Sequence, residues 1–211
     1  MYDPEKAYNN LPLLPPNVEV ETKKILKQAI TSNKILAELK GRADEIPNQS
    51  MLVNAITLQE AKDSSEIENI VTTQDTLYKA FSSNISTTDA QTKEVLRYRQ
   101  ALWEGYTDLG KRPLSTNSFI QIVQTIKEND SSIRNAPGTK ITSNNTTIYT
   151  PPEGESVIRN LLKNLEDYIH AEDDIDLLIK LAIMHYQFEA IHPFFDGNGR
   201  TGRVINMLFM V

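Results

Sequence analysis

"HPFFDGNGRTGR", from His192 to Arg203, is the stretch on which the reading of this chain turns. Its twelve residues hold one titratable base, one carboxylate, an amide between two glycines, and two arginines three apart. Gly197 and Gly199 free the backbone to take up positive φ and to approach a ligand closely. A helix starting near Gly199 aims unpaired N–H groups and a partial positive charge into the loop before it, which suits phosphate. Arg200 and Arg203 stand one helical turn apart, which predicts a shared face and two guanidinium forks for two phosphate groups. Asp196 is placed to hold Mg²⁺, which typically bridges a protein carboxylate to phosphate oxygens. His192 can serve as a general base at neutral pH. Taken singly, each residue reads as part of a solvated helix–loop–helix turn. Their concentration in one string is what favours a site.

Working outward, the surroundings are helical. "IDLLIKLAIMHYQFEAI" before the stretch is nearly apolar and predicts a buried central helix, and "RVINMLFMV" resumes helix after it. Apolar residues recur at helical spacing at Ile25, Leu26, Ala29, Ile30, Leu36 and Leu39, with Gly41 read as the stop. A second helix starts near Met51 and runs through "LVNAITLQEAKDSSEIENI", and Thr72-x-x-Asp75 resembles a cap for a short third one. From about Asp89 to Leu109, Val95, Leu96, Leu102, Trp103, Tyr106 and Leu109 fall on one broad face. Further helices are marked by Phe119, Ile122, Val123 and Ile126, and by Val157 to Ile169. One segment differs. "RNAPGTKITSNNTTIYTPPEG" carries β-branched residues around Asn144-Asn145, bracketed by Pro-Gly and Pro-Pro, and predicts a β-hairpin. The fold class is therefore mainly α with one hairpin, led in by an extended "LPLLPP".

Composition narrows the function classes. A chain of 211 residues has room for one sizeable core. A net charge of −6 argues against generic binding to nucleic acid or to an anionic membrane. With no cysteine, disulfides, thiolate catalysis and cysteine-ligated zinc are excluded. The N-terminal residues lack a signal-peptide pattern and no apolar run is long enough to span a bilayer, so the expectation is a cytoplasmic protein. His185 lies seven residues before His192, a poor spacing for a helical zinc pair, and reads as a hydrogen-bonded core histidine. His170, beside acidic residues, reads as exposed.

The stretch from His192 to Arg203 resembles the signature of the Fic family, His-x-Phe-x-Asp/Glu-Gly-Asn-Gly-Arg-x-x-Arg, at every fixed position. That resemblance implies a Fic-type helical bundle with a hairpin flap, and transfer of AMP from ATP to a hydroxyl side chain of a target protein. It implies that His192 deprotonates the target Ser, Thr or Tyr and that Asp196 holds Mg²⁺ on the α- and β-phosphates. Gly197, Asn198 and Gly199 are implied as the anion hole, Arg200 and Arg203 as contacts to the outer phosphates, and Thr201 and Gly202 as part of the same nucleotide-binding run. The hairpin, through Thr139, Lys140, Ile141, Ile148 and Tyr149, resembles the flap that clamps an extended target segment by strand addition. "SSEIEN" resembles the family's inhibitory pattern through Ser64, Glu68 and Asn69, which implies that Glu68 pairs with Arg203 where the γ-phosphate must sit.

On this reading residues 1–90 form an N-terminal helical region and 91–211 the Fic core, as one compact unit. The sequence ends eight residues after Arg203 (211 − 203), whereas family members continue through helices that complete the core and contact adenine, so the core is expected to be incomplete. Other chemistries stay open at this point: removal of AMP by an activated water, transfer of another phosphate-containing group, or a nucleotide-binding regulatory module without turnover. A homodimer stays open as well.

Overall fold

The computed structural model describes residues 3–82 and 89–211. Its elements among those residues are α1 (Lys23–Arg42), α2 (Gln49–Glu66), α3 (Gln74–Ser82), α4 (Ala90–Leu109), α5 (Thr116–Lys127), β1 (Ile141–Ser143), β2 (Thr146–Tyr149), α6 (Glu155–His170), α7 (Leu177–Ile191) and α8 (Asn198–Phe209). The two strands pair antiparallel, with Thr142 opposite Thr147, and the turn uses Asn144 and Asn145 at positive φ. Asparagine tolerates that left-handed region better than most residues, which is why an Asn-Asn pair can close so tight a hairpin. No helix among the described residues is long and apolar enough to cross a membrane.

Local chemistry sets the helix starts. Asn48, Asp89 and Asp176 each accept a backbone N–H from the first turn of the helix they precede, and Ser115 with Ser118 forms a reciprocal capping box. The third helix is capped by Thr73, whose Oγ1 accepts from the Thr76 amide at 3.2 Å, and not by Thr72. Thr72 is buried and bonds Thr92 Oγ1 at 2.6 Å, so tertiary contact has claimed the hydroxyl expected to cap.

Two helix ends also differ from expectation. Gly41 lies inside α1, which runs on into a 3₁₀ turn at Ala43–Glu45. The break comes at Ile46, which is extended because the following proline disfavours a helical residue before it. α2 stops at Glu66 in place of continuing to Ile70. There the Ile70 amide reaches back to the Ser65 carbonyl and the Asn69 amide to Glu66, with Asn69 at φ +62. This is a Schellman closure, and it turns the chain at Glu68.

The core lies between α4, α5, α6, α7 and α8. α4 packs on α5, α2 and α8, while α7 packs on α6, α8 and α1. Phe188 of α7 meets Phe119 edge-on at 5.7 Å and Phe194 at 6.4 Å, so the loop after α7 is anchored by aromatic contacts, each worth about 1 kcal/mol beyond area burial. The broad face read on α4 is only partly internal. Val95 and Leu102 are buried, but Trp103 and Tyr106 are about half exposed and pack on each other. Of the apolar residues expected to seat α1, only Ala29 is buried. The "LPLLPP" lead-in is stapled to the bundle: Asn164 bonds both backbone groups of Leu14, and Gln187 donates to the Pro12 carbonyl.

Candidate active site

The sequence from His192 to Arg203 forms the junction between α7 and α8, the two helices that share the deepest part of the core. His192 closes α7 in the left-handed region at φ +50, which reverses the chain into Pro193 and Phe194. Phe194 is buried and Phe195 exposed, so one aromatic anchors the loop and the other faces solvent. Asn198 is buried and makes two reciprocal bonds to Phe194, accepting its amide at 2.9 Å and donating to its carbonyl at 2.8 Å. Its side chain therefore holds the loop shut.

Gly197 begins α8 at φ +84 without a side-chain cap. By helix geometry the first backbone N–H groups of α8 have no intrahelical acceptors, so this turn presents donors and a partial positive charge. A Cβ on Gly199 would stand 2.3 Å from Glu68 Oε1 and 3.1 Å from an Arg203 nitrogen. The carboxylate of Glu68 thus lies directly against the first turn of α8, in space that only a glycine leaves open.

Arg203 grips that carboxylate. Its Nη2 donates to Glu68 Oε1 at 2.8 Å and to the Ser64 carbonyl at 2.9 Å, while Nε donates to Ser64 Oγ at 2.5 Å. Ser64 is buried and Arg203 about one-fifth exposed, so the end of α2 and the first half of α8 are joined by a partly desolvated ion pair. The three residues of the "SSEIEN" stretch have separable tasks: Ser64 orients the guanidinium, Asn69 supplies the left-handed turn, and Glu68 delivers the charge.

The structure separates the two arginines that the spacing placed on one face. Arg200 is 1% exposed and donates to Glu94 Oε1 of α4 at 2.7 Å, whereas Arg203 bonds Glu68. Thr201 is fully buried in the helix interface, and Gly202 sits against Phe188, His185 and Glu189 of α7. These three residues hold α8 onto the core, and Arg203 carries its charge to the Glu68 carboxylate. Residues three apart are neighbours on a helix, but a long side chain can lean either way, and packing on α4 decides where Arg200 goes.

Asp196 has a two-thirds exposed carboxylate whose Oδ2 pairs with Lys127 at 2.6 Å, and Lys127 also bonds Glu94. Partial burial pushes its pKa up, but the Lys127 hydrogen bond and charge, with the Gly197 amide, hold it below the ordinary aspartate value. Among the described residues no group of three His, Asp or Glu side chains converges on one point. The donor set still suits Mg²⁺, which retains waters and takes one or two protein carboxylates together with phosphate oxygens.

His192 is partly buried, and its ring is held below the ordinary histidine value, first by burial and then by the Arg134 guanidinium. The imidazole is neutral at pH 7 as a result. Glu189, one turn earlier on α7, shows the opposite effect: burial pushes its carboxyl up to about 7 against the pull of Arg203. Neither Arg134 nor Glu189 was singled out from the sequence. Glu189 is the one acidic residue of α7 and lies three residues before His192, a signal that could have marked it; Arg134 lies in a polar loop that gives none. His185 bonds Asn206 at 3.0 Å, and exposed His170 bonds the Leu114 carbonyl at 2.6 Å.

The hairpin stands beside this junction. Tyr149 donates to the Ala190 carbonyl at 2.8 Å, which fixes β2 to the end of α7. Ile148 is half exposed, and Lys140 pairs with Glu5 of the N-terminal segment. Thr139 precedes β1, and Ile141 opens it opposite Tyr149 at a register irregularity.

Family models match nearly the whole of this arrangement: Fic/DOC family N-terminal over residues 26–107 and Fic/DOC family over residues 113–210. The chain belongs to the Fic/DOC family. Among curated proteins, a probable protein adenylyltransferase of Aquifex aeolicus is 42% identical over 57 residues, 27% of this chain and 18% of the relative. Protein adenylyltransferase fic-1 of Caenorhabditis elegans is 40% identical over 65 residues, 30% of this chain and 13% of the relative. The matched regions are thus less than a fifth of either relative's length. Among solved structures, a Fic family protein from Desulfovibrio desulfuricans G20 superposes with a TM-score of 0.73 at 21% identity, over 93% of this chain and 59% of that one. Fic-1 (residues 134–508) of C. elegans superposes with a TM-score of 0.68 at 20% identity, over 88% of this chain and 58% of that one. At those identities the superpositions establish the fold: this is a Fic-type helical bundle with a hairpin.

Proposed function

We propose that this Fic chain is an autoinhibited protein adenylyltransferase, which moves AMP from ATP to a Ser, Thr or Tyr hydroxyl of a target protein. The observation that carries the reading is the seat of Glu68. A carboxylate rests on Arg203 and against the uncapped first turn of α8, which is where an anionic group is best received. The curated relatives that match part of this chain are named protein adenylyltransferases, which supports nucleotide as the anion received.

In the proposed reaction the neutral His192 imidazole takes the proton of the target hydroxyl. The resulting oxygen attacks the α-phosphorus, a P–O bond forms to the target, and the bond to the β-phosphate oxygen breaks to release pyrophosphate. The first turn of α8 and Arg203 hold the phosphates in line for that displacement. Mg²⁺ bound at Asp196 would offset phosphate charge. An extended target segment lies along the hairpin by strand addition, which places its hydroxyl near His192. While Glu68 occupies Arg203 the terminal phosphate has no seat, so the resting chain is inactive.

The test uses Glu68→Gly as the released background, labelled ATP, and both self-modification and a cell lysate as acceptors. Incorporation should rise on release, and His192→Ala in the same background should lower it by about 10²–10⁴-fold while ATP affinity stays put. Full incorporation without His192 would remove the histidine from the role of base.

A further inference from the structure

The last carbonyls of an α-helix lack intrahelical donors and carry partial negative charge. At the end of α7 three successive carbonyls receive donors from outside the helix. Tyr149 donates to Ala190 at 2.8 Å, Arg134 Nη2 to Ile191 at 3.2 Å, and Arg134 Nε to His192 at 2.7 Å. Arg134 Nη2 also donates to the Pro152 carbonyl just beyond β2, and the Arg134 amide donates to the Pro193 carbonyl at 2.9 Å. One fully buried side chain thus spans the helix end, the bend after it and the base of the hairpin.

Its acceptors are all backbone carbonyls. A buried cation is costly unless its charge is met, and here the negative end of the α7 dipole meets it. Nη1 is buried without an acceptor, so the guanidinium is not placed to maximise its own hydrogen bonds. Its position is instead fixed by the bend. His192 sits at φ +50 and ψ 60, a region non-glycine residues seldom occupy and one that persists only where the surroundings over-determine it. Arg134 supplies that restraint from both sides, through the His192 and Pro193 carbonyls.

We propose that Arg134 is a positioning residue for His192: it caps the carbonyl end of α7, holds the histidine backbone in its left-handed bend, and stands as a fixed positive charge beside the imidazole. This rests on the reading of His192 as the base. Left alone, a histidine at a helix carboxyl end is drawn towards its protonated form by the dipole, which disables a base. Arg134 opposes that field. The other groups facing the ring act the opposite way: the Glu68 carboxylate after α2 and the Glu189 carbonyl of α7 both favour the protonated ring. Arg203 of α8 and the Glu189 carboxylate act on each other. Burial and Arg134 prevail, and the ring titrates below the ordinary histidine value.

The experiment compares Arg134→Met and Arg134→Lys with Arg134 in the full chain carrying Glu68→Gly. Circular dichroism monitors folding, NMR follows the His192 ring through a pH titration, and transfer is resolved into kcat and KM for ATP. Arg134→Met should move the ring titration and the acid limb of kcat to higher pH. It should lower kcat by about 10²-fold at neutral pH, with KM changed by less than about twofold. Arg134→Lys keeps the charge but not the fork, so the ring titration should stay and kcat should still fall. A folded Arg134→Met whose ring titration and kcat match the parent overturns the proposal. If Arg134→Met does not fold, Arg134→Lys decides, and an unchanged kcat there overturns it equally. The ring titration reads Arg134 whether or not His192 is the base, whereas His192→Ala tests the base reading alone.

Discussion

Removing the Glu68 carboxylate should raise ATP affinity by an amount the geometry bounds. Glu68 makes one charge-assisted hydrogen bond to Arg203 at 2.8 Å and leaves its side chain 38% exposed. Such a bond contributes about 1.5–3 kcal/mol when shielded, while an exposed pair contributes under about 1 kcal/mol, so a half-exposed pair lies near 1–2 kcal/mol. If the docked state is favoured by that margin, the open fraction is about 3–15%, and apparent affinity is reduced by the same fraction. Glu68→Gly should therefore tighten ATP binding by about 6- to 30-fold in calorimetry. Glu68→Gln keeps a neutral hydrogen bond and fills the same space, so it should fall between wild type and Glu68→Gly in binding and in self-modification. Arg203→Ala added to Glu68→Gly should erase the gain, because the seat itself is then absent. A correctly folded Glu68→Gly that binds ATP no better than wild type would refute the competition between carboxylate and phosphate, though not the assignment of the site.

Two further outcomes concern the scaffold. Asn198→Ala removes both bonds to Phe194 and leaves a buried amide and carbonyl without partners, so it should lower stability by about 2 kcal/mol in urea denaturation. Glu189 has a folded pKa of about 7 against an ordinary 4.5, so the folded state holds its proton where the unfolded chain has lost it. The contribution of this group to stability is then greatest below about pH 4.5 and declines as pH rises to about 7. Glu189→Gln mimics the protonated form and should exceed wild type by up to about 3 kcal/mol at pH 8 and by much less at pH 5. An advantage that does not vary with pH would show that Glu189 is not held protonated.

The helices and the hairpin were legible because periodicity and turn residues report local preference, and the core helices satisfy local and tertiary demands together. The errors fall where long-range partners decide. Thr72 looked like a cap because its spacing to Asp75 is right, but its hydroxyl is taken by Thr92 from α4, and Thr73 caps in its place. Ile25, Leu26 and Ile30 have helical spacing, yet α1 meets little besides α7, so periodicity identified the helix without showing how much of it the core would cover. Arg134 gave no signal at all. Its acceptors are carbonyls, which every residue possesses, and no pattern of side chains marks them.

The two arginines show how far helical spacing carries a reading and where packing takes over. A helix position fixes where a Cα stands, but a long side chain chooses among neighbours that sequence does not rank. Near Arg200 lie Glu94 of α4 and, at 4.0 Å, Asp196, with Lys127 bridging the same two carboxylates. Two cations and two carboxylates form a closed network, and Arg200, nearly inaccessible, is its inner member. Near Arg203 stand Ser64, the Glu189 carboxyl of α7 and the Glu68 carboxylate, the last bonded to it directly from a turn that Asn69 makes possible. The first network is closed around Arg200 and reaches solvent at the Asp196 carboxylate. The second holds one carboxylate at an open helix end, where a phosphate can take its place. On the proposed reading, Arg203 is for that reason the residue through which an anion gains or loses this site.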